Sequence, residues 1–331
     1  MRIGINGLGR IGRLAIRALQ NHPSLELMHV NDVAGDAFTH AHLLAFDSVH
    51  GQWDVPVSAE GQHLVIDGKS IKVTSAKTLE EADFSGCDLI LECTGKFKSV
   101  DALRPYLDAG IGQVVVSAPI KVPEVLNVVM GVNHSLFDAD KYPIVTAASC
   151  TTNCLALGLS GLTRSVDIER GFYTTIHAIT NDQVLIDSAH RDPRRGRSAN
   201  SSMIPTSTNA IQALEWVMPE LSNRIHGFSV RVPTQNVSCV DLTVEFSREM
   251  TEAEIMDAMH QWSQIQGGLF AVNEEPLVSI DFNHSSASAI VDATLTNVVG
   301  TNMGKISAWY DNEWGFSNRM CDLAEKLHNI S

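Results

Sequence analysis

Residues 2–13, RIGINGLGRIGR, decide the fold of the first half of the chain. RIGIN alternates into a Gly-rich turn, and the apolar residues that follow, Ile11, Leu14, Ala15, Ala18 and Leu19, fall at helical spacing. Gly7, Gly9 and Gly12 therefore stand in a G-x-G-x-x-G pattern between a strand and the helix it opens. Each glycine has its own task there: Gly7 allows the tight turn, Gly9 lets a pyrophosphate approach the backbone, and Gly12 permits close helix-to-strand packing. The helix N-terminus attracts the negative charge. LELMHVND follows as a second strand and puts Asp32 about 20 residues on, where a carboxylate accepts hydrogen bonds from ribose hydroxyls. The hexapeptide alone is weak, but this setting reads as a dinucleotide site. Asp32 repels a 2′-phosphate and so favours NAD over NADP.

Working outward, HLVIDG, SIKVTS, CDLILECTG, QVVVSAP and NVVMGVN read as further short strands, with helical stretches such as VDALRPYLDAG between some of them. That alternation implies a mostly parallel sheet. After about residue 150 the texture changes. GFYTTIHAIT, GFSVRVPTQNVSCVDLTVEFS, PLVSIDF, SAIVDATLTNVV and GKISAWYDN read as longer strands of a largely antiparallel sheet, accompanied by helices such as TEAEIMDAMHQWSQI. A final amphipathic helix covers residues 315–328. The expected class is α/β plus α+β: an N-terminal Rossmann domain over 1–149, a mostly antiparallel catalytic domain over 150–313, and a C-terminal segment, 314–331, packing back on the first.

The chain has 331 residues, 44% of them hydrophobic, which is ample for two full cores. Its net charge of −14 disfavours nucleic acid or an anionic membrane as main partner. No apolar run approaches the ~20 residues that span a bilayer. The N-terminal stretch is interrupted by Arg10, Arg13 and Arg17, unlike a signal peptide. Six scattered cysteines suit a reducing compartment. Together these point to a soluble, unprocessed, cytoplasmic protein. HRDPRRGR runs against the overall sign, with Arg191, Arg194, Arg195 and Arg197 close together; it reads either as a solvated loop or subunit contact, or as an anion pocket.

AASCTTNCLALG, residues 147–158, carries Cys150 after the strand-like PIVTAAS and before a helical run. A thiol at a helix N-terminus is expected to have a lowered pKa and to act as a nucleophile. Cys154 lies one turn later, where a disulfide has poor geometry, and zinc would need further nearby ligands. No metal is expected, and Cys154 reads as a packed core residue. A nucleophilic cysteine needs a base, and His177 in TTIHAIT is the candidate.

SCTTNC, TTIHAITNDQ, HRDPRRGR, MIPTST, VRVPTQNVS and WYDNEWGF, together with INGLGRIGR, closely resemble the phosphorylating glyceraldehyde-3-phosphate dehydrogenases, from about residue 2 to 328. The resemblance implies that Cys150 attacks an aldehyde, that His177 takes the proton while nicotinamide takes hydride, and that phosphate cleaves the thioester. It places Thr180 and Arg231 in a pocket for the substrate's phosphate, with Arg195 shared, and Ser149, Thr151, Thr208 and Asn209 in a pocket for the attacking phosphate. It assigns Asn6, Gly7, Gly9, Arg10, Ile11, Gly12, Asp32, Thr94, Gly95, Ser117, Ala118 and Asn312 to NAD, Asn312 holding the carboxamide. It also implies a homotetramer, with the loop from about 178 to 203 near a subunit interface.

Three departures stand out. Asn209-Ala210-Ile211-Gln212 replaces the family's Gly-Ala-Ala-Lys, Phe316 replaces a Tyr, and Ser188-Ala189 before His190 resembles members that accept NADP. The N-terminal half resembles an accessory branch found with bacterial arsenate-resistance genes, where arsenate replaces phosphate. The C-terminal half also resembles erythrose-4-phosphate dehydrogenase, the alternative substrate reading. A non-catalytic NAD-binding or RNA-binding role is disfavoured, because Cys150, His177, Arg195 and Arg231 are all present and the net charge is unfavourable for RNA.

Overall fold

The computed structural model describes residues 1–329; Ile330 and Ser331, the last two of the expected segment 314–331, lie outside the described residues. The chain divides into two compact units. One comprises Met1–Met130, His134–Ala148 and the chain from Phe316 onward; the other comprises Gly131–Asn133 and Ser149–Gly315.

In the first unit, β1 (Arg2–Asn6), α1 (Arg10–Ala18) and β2 (Glu26–Asn31) form the expected βαβ element. There follow α2 (Ala37–Ala45), a ribbon of β3 (Phe46–Asp47) and β4 (Gly51–Gln52), and a meander of β5 (Val57–Glu60), β6 (His63–Ile66) and β7 (Lys69–Thr74). Then come α3 (Leu79–Ala82), β8 (Leu89–Glu92), α4 (Val100–Asp108), β9 (Gln113–Val116), β10 (Leu126–Asn127) and β11 (Ile144–Thr146). The nine-stranded sheet runs β10-β11-β9-β8-β1-β2-β7-β6-β5. It is parallel from β10 to β7 and antiparallel across the meander. β8 (LILE) and β9 (QVVV) are buried at every position, which is why they read as continuous apolar runs. The strand order reverses at β1, flanked by β2 and β8, so the crevice at their carboxyl ends is a topological switch point.

The second unit contains α5 (Cys150–Thr163), β12 (Ile168–His177), β13 (Ile204–Thr206), α6 (Ala210–Val217), β14 (Ile225–Arg231), β15 (Ser238–Phe246) and α7 (Glu252–Gln266). β16 (Phe270–Asn273), β17 (Ala289–Asp292), β18 (Asn297–Val299) and β19 (Met303–Tyr310) complete it, and α8 (Trp314–His328) leads out of it. Its eight-stranded sheet runs β13-β14-β12-β15-β19-β17-β16, with β18 on β19, antiparallel except at β12–β14 and β16–β17. α5 is buried from Thr151 to Leu162, as expected of a helix apolar all round. α7 starts at a Thr251–Glu254 capping box and ends at Gly267 in the left-handed conformation. From Phe316 onward α8 belongs to the first unit, where Ser317 Oγ donates to Ile11 O at 3.4 Å on α1.

Four strand expectations need correction. Of NVVMGVN only Asn127 is in a strand, since Val128 N–H makes one bond to Thr146 O and Gly131 then turns the chain at φ 86. PLVSIDF contains a single 3₁₀ turn, Ser279–Phe282, because Asp281 accepts the Val278 N–H at 2.8 Å. SAIVDATLTNVV is broken where Asp292 accepts the Thr294 N–H at 3.1 Å. The long run through VRVPTQNVS divides into β14 and β15 around Pro233, which has no N–H to give a ladder.

Candidate active site

In the first unit each glycine of the fingerprint meets a different constraint. Gly7 has φ 95, and a Cβ there would lie 2.6 Å from Thr94 N. A Cβ on Gly12 would lie 1.9 Å from Gly7 O, so α1 can sit on the turn only with glycine there. A Cβ on Gly9 meets nothing within 4 Å, which leaves open space over the first turn of α1. A cavity of about 180 Å³ opens there, lined by Asn6, Gly7, Gly9, Asp32, Thr94 and Phe97 among others. Asp32 is held by two backbone donors, Leu8 N–H at 2.6 Å and Ala34 N–H at 2.8 Å, and its oxygens retain lone pairs for hydroxyl donors. Open space at Gly9, a helix start without a side-chain cap and an oriented carboxylate fit a dinucleotide.

The other residues assigned to the cofactor fall into two groups. Asn6, Ile11, Thr94, Gly95 (φ 68), Ser117 and Ala118 all lie at the carboxyl ends of β1, β8 and β9 or in the first turn of α1. The Arg10 side chain is instead held bidentately by Asp47. One polar residue escaped the sequence reading. Glu92 is fully buried and takes donors from Asn6 Nδ2 (3.0 Å), Tyr106 OH (2.8 Å), Thr94 N–H (2.8 Å) and the Thr94 hydroxyl. Asn6 Oδ1 in turn accepts from Asn31 Nδ2 at 2.9 Å, so this network ties β1, β2 and β8 together beneath the turn. The signal was the one charge closing the apolar strand LILE.

In the second unit Cys150 is the first residue of α5, and Ser149 is its N-cap, its Oγ accepting the Thr152 N–H at 3.1 Å. Ala148, just before the cap, has φ 56, a conformation that only the surrounding structure can impose on a non-glycine residue. His177 closes β12, and its parallel ladder partner is Arg231 at the end of β14. Cys150 Sγ lies 3.6 Å from His177 Nε2. His177 Nδ1 lies 2.7 Å from Ala178 O, an acceptor only, so the ring proton is on Nδ1 and Nε2 presents its lone pair to the thiol.

Burial pushes the Cys150 thiol above its ordinary pKa, against the pull of Arg231 and of hydrogen bonds from Thr151. This corrects the expectation of a lowered thiol pKa, because desolvation outweighs the helix terminus. Burial, helped by Arg231, lowers His177 to about 3. The resting pair is therefore a neutral thiol beside a neutral imidazole, poised to pass a proton during attack rather than before it.

Arg231 is the distinctive charge. Its Nε is buried with no hydrogen-bond partner, and Nη1 reaches Ala178 O only at 3.4 Å. Among the described residues no carboxylate forms an ion pair with it. Burial lowers its pKa, a sign of a guanidinium short of both water and counter-ion. Arg195 differs: it bonds Asp182, and its Nε donates to Thr206 Oγ1 at 2.8 Å. Thr180 donates from its N–H (2.9 Å) and its hydroxyl (3.1 Å) to Gln183 Oε1. Ser149 Oγ also bonds Thr152 Oγ1 at 2.7 Å. Thr151 is turned inward, its hydroxyl 2.8 Å from Tyr310 OH, so its side chain is already engaged. Thr208 Oγ1 accepts the Ala210 N–H at 3.1 Å at the start of α6. Asn209, the N-cap residue, has φ −85 and ψ −1, so glycine is not required there. Asn312 Oδ1 accepts from the Ser238 hydroxyl at 2.7 Å. The structure thus groups Cys150, His177 and Arg231, with the Thr151 hydroxyl shared between the thiol and Tyr310 OH.

Residues 1–100 match the family described as glyceraldehyde 3-phosphate dehydrogenase, NAD binding domain, and residues 149–312 match the corresponding C-terminal domain. The chain is 45% identical to glyceraldehyde-3-phosphate dehydrogenase 3 of Nostoc sp., over 99% of this chain and 98% of that protein. It is 44% identical to the glyceraldehyde-3-phosphate dehydrogenase of Geobacillus stearothermophilus (98% and 97% covered) and 46% identical to that of Pseudomonas aeruginosa (99% and 98%). Both halves of the chain and its full-length relatives agree: it belongs to the glyceraldehyde-3-phosphate dehydrogenase family and is an NAD-dependent dehydrogenase.

Proposed function

We propose that the chain oxidises D-glyceraldehyde 3-phosphate to the acyl phosphate through a thioester on Cys150. The reading is carried by one observation, the Cys150–His177 pair beside half-buried Arg231, whose Nε is buried without a hydrogen-bond partner. Sγ attacks the aldehyde carbon as its proton passes to Nε2 of His177, and His177 hands that proton to the former carbonyl oxygen, giving the hydroxyl of a thiohemiacetal and a neutral imidazole. The Cys150 N–H and His177 stabilise that oxygen as charge develops on it. His177 then removes the hydroxyl proton as the carbon is oxidised to the thioester. NAD, when bound, supplies the hydride acceptor. Arg231 and Thr180 hold the substrate's phosphate, with Arg195 shared. Ser149, Thr208 and Asn209 hold the attacking phosphate, whose oxygen displaces Sγ from the acyl carbon. Asn312 orients the carboxamide of the cofactor. Steady-state rates with glyceraldehyde 3-phosphate and NAD, with and without phosphate, test this; turnover independent of phosphate overturns it.

Finer features belong to the same proposal. The replacement at Asn209 favours arsenate as an alternative acceptor, tested by comparing rates with the two anions. Erythrose 4-phosphate is the rival substrate, to be decided by kcat/KM for the two aldehydes. Ser188-Ala189 favours use of NADP beside NAD; a kcat/KM ratio above about 10³ for NAD ends that idea. Phe172, Ile176 and Phe228 expose an apolar outer face on the second unit's sheet, and Leu185 and Ile186 are exposed on the loop after it. These support a homotetramer, for which light scattering should give about four times the chain's 36.0 kDa. No helix of the described residues is long and apolar enough to cross a membrane, and we place the enzyme in the cytoplasm. We take 1–149, 150–313 and 314–331 as the cofactor domain, the catalytic domain and the segment returning to the first.

A further inference from the structure

Three strands of the second unit end at the same place. His177 closes β12, Ser238 opens β15 opposite Tyr310 at the end of β19, and Asn312 follows two residues later. The entry into β15 is unusual. Val237, buried against Phe282, Ala287 and Ile290, has φ 66, a left-handed conformation that a β-branched residue rarely adopts. Such strain persists only where packing imposes it, and it immediately precedes a serine that is 1% exposed.

The Ser238 hydroxyl makes two bonds, one as acceptor and one as donor. Its oxygen accepts the Ala178 N–H at 3.1 Å, since a backbone N–H can only donate. Its single proton is donated to Asn312 Oδ1, 2.7 Å away. That assigns the Asn312 amide: the oxygen faces Ser238, and Nδ2 lies on the other side. Ala178 is the residue whose carbonyl accepts from His177 Nδ1 and so leaves Nε2 facing Cys150 Sγ. Both peptide groups of Ala178 are thus in use, one held by Ser238 and the other holding the base.

We propose that Ser238 is a positioning residue that holds the His177–Ala178 peptide, and with it the placement of the His177 ring, and the orientation of the Asn312 amide through one hydroxyl. Its effect on His177 follows from geometry alone; its effect on cofactor binding rests on the role given to Asn312 above. Without the hydroxyl, the buried Ala178 N–H loses its partner in the peptide next to the base, and the Asn312 amide can flip; the Ala178 carbonyl keeps Arg231 Nη1 at 3.4 Å, and its peptide keeps the Ile179 N–H bond to Thr234 O at 3.0 Å.

The test uses the full-length enzyme as wild type, Ser238→Ala and Ser238→Cys. The readouts are the ¹⁵N shifts of the His177 ring, the rate of Cys150 alkylation by iodoacetamide across the neutral pH range, and NAD affinity by calorimetry. For Ser238→Ala the expected result is ring shifts that move while the Nδ1–H tautomer is kept, alkylation about tenfold slower, and NAD affinity about tenfold weaker. In turnover, kcat falls while KM for the aldehyde holds. Ser238→Cys, which keeps a weak donor and acceptor, recovers part of each loss. Wild-type ring shifts and alkylation in a folded Ser238→Ala overturn the inference, as does a lowered melting temperature with every site readout unchanged. Failure of the wild type to oxidise glyceraldehyde 3-phosphate would sink the substrate assignment while leaving the ring and alkylation readouts to decide on Ser238.

Discussion

Replacing Arg231 by leucine separates recognition of the phosphate from the chemistry of the thiol. The guanidinium has a buried Nε without a partner and only a 3.4 Å contact at Nη1, so its hydrogen-bonding capacity is unspent within the protein. A charge-assisted bond to a phosphate oxygen contributes about 1.5–3 kcal/mol, so losing this anchor should lower kcat/KM for glyceraldehyde 3-phosphate by about 10²-fold. Glyceraldehyde, which has no phosphate, should lose less than about threefold. Two further signs follow from the same contacts. Arg231 helps hold His177 down at about 3 and pulls against the burial of Cys150, so without it both groups should rise. Removing the partnerless buried Nε–H of this half-buried side chain should also stabilise the fold, by about 1 kcal/mol. Parallel kinetics on the two aldehydes and urea unfolding make the comparison. An equal loss with both substrates, or a less stable variant, would refute the placement of Arg231 as the unsatisfied anchor.

Gly12→Ala and Gly9→Ala should behave in opposite ways. The first drives a methyl to within 1.9 Å of Gly7 O and should destabilise the enzyme by about 1–3 kcal/mol, read as a lower melting temperature. The second has room for its methyl and should melt as wild type while binding NAD more weakly, read by calorimetry. Ser149→Ala removes the N-cap of α5 and should cost about 1 kcal/mol in urea unfolding, with slower turnover at low phosphate. His177, ordinarily near 6.5 and lowered to about 3 by burial and Arg231, binds its proton in the unfolded chain before the folded one does. Stability should therefore be complete above pH 6.5 and decline as pH falls toward 3. His177→Asn should flatten that decline by up to about 1.4 kcal/mol per pH unit, and an unchanged profile would contradict the buried neutral imidazole.

What could be read from the chain alone was local. The glycine fingerprint, the apolar period of α1 and the position of Asp32 lie within thirty-odd consecutive residues, and the structure builds them as read. Cys150 at the start of α5 was legible for the same reason, a strand-like stretch followed by an apolar helical run. Features that depend on distant partners were not. Glu92 looks like an ordinary strand end until Asn6, 86 residues away, and Tyr106 arrive to bond it. The thiol of Cys150 was expected to be acidic from its helix position, but burial is a property of the folded unit and reverses the sign. Thr151 looked like an anion ligand beside the nucleophile, yet Tyr310, brought in by β19, claims its hydroxyl. PLVSIDF failed as a strand because apolar content does not report burial: Val278 and Ile280 are 59% and 69% exposed.

The central claim is that Cys150 becomes acylated and that phosphate releases the acyl group. Mixing the enzyme with NAD and glyceraldehyde 3-phosphate in the absence of phosphate, followed by acid quench and peptide mass spectrometry, tests it directly. The expected result is one equivalent of NADH per site and a phosphoglyceryl mass added to the peptide carrying Cys150, both adduct and block disappearing when phosphate is supplied. An adduct on Cys154 or on any other residue, or continued NADH production with no adduct and no phosphate, would contradict it.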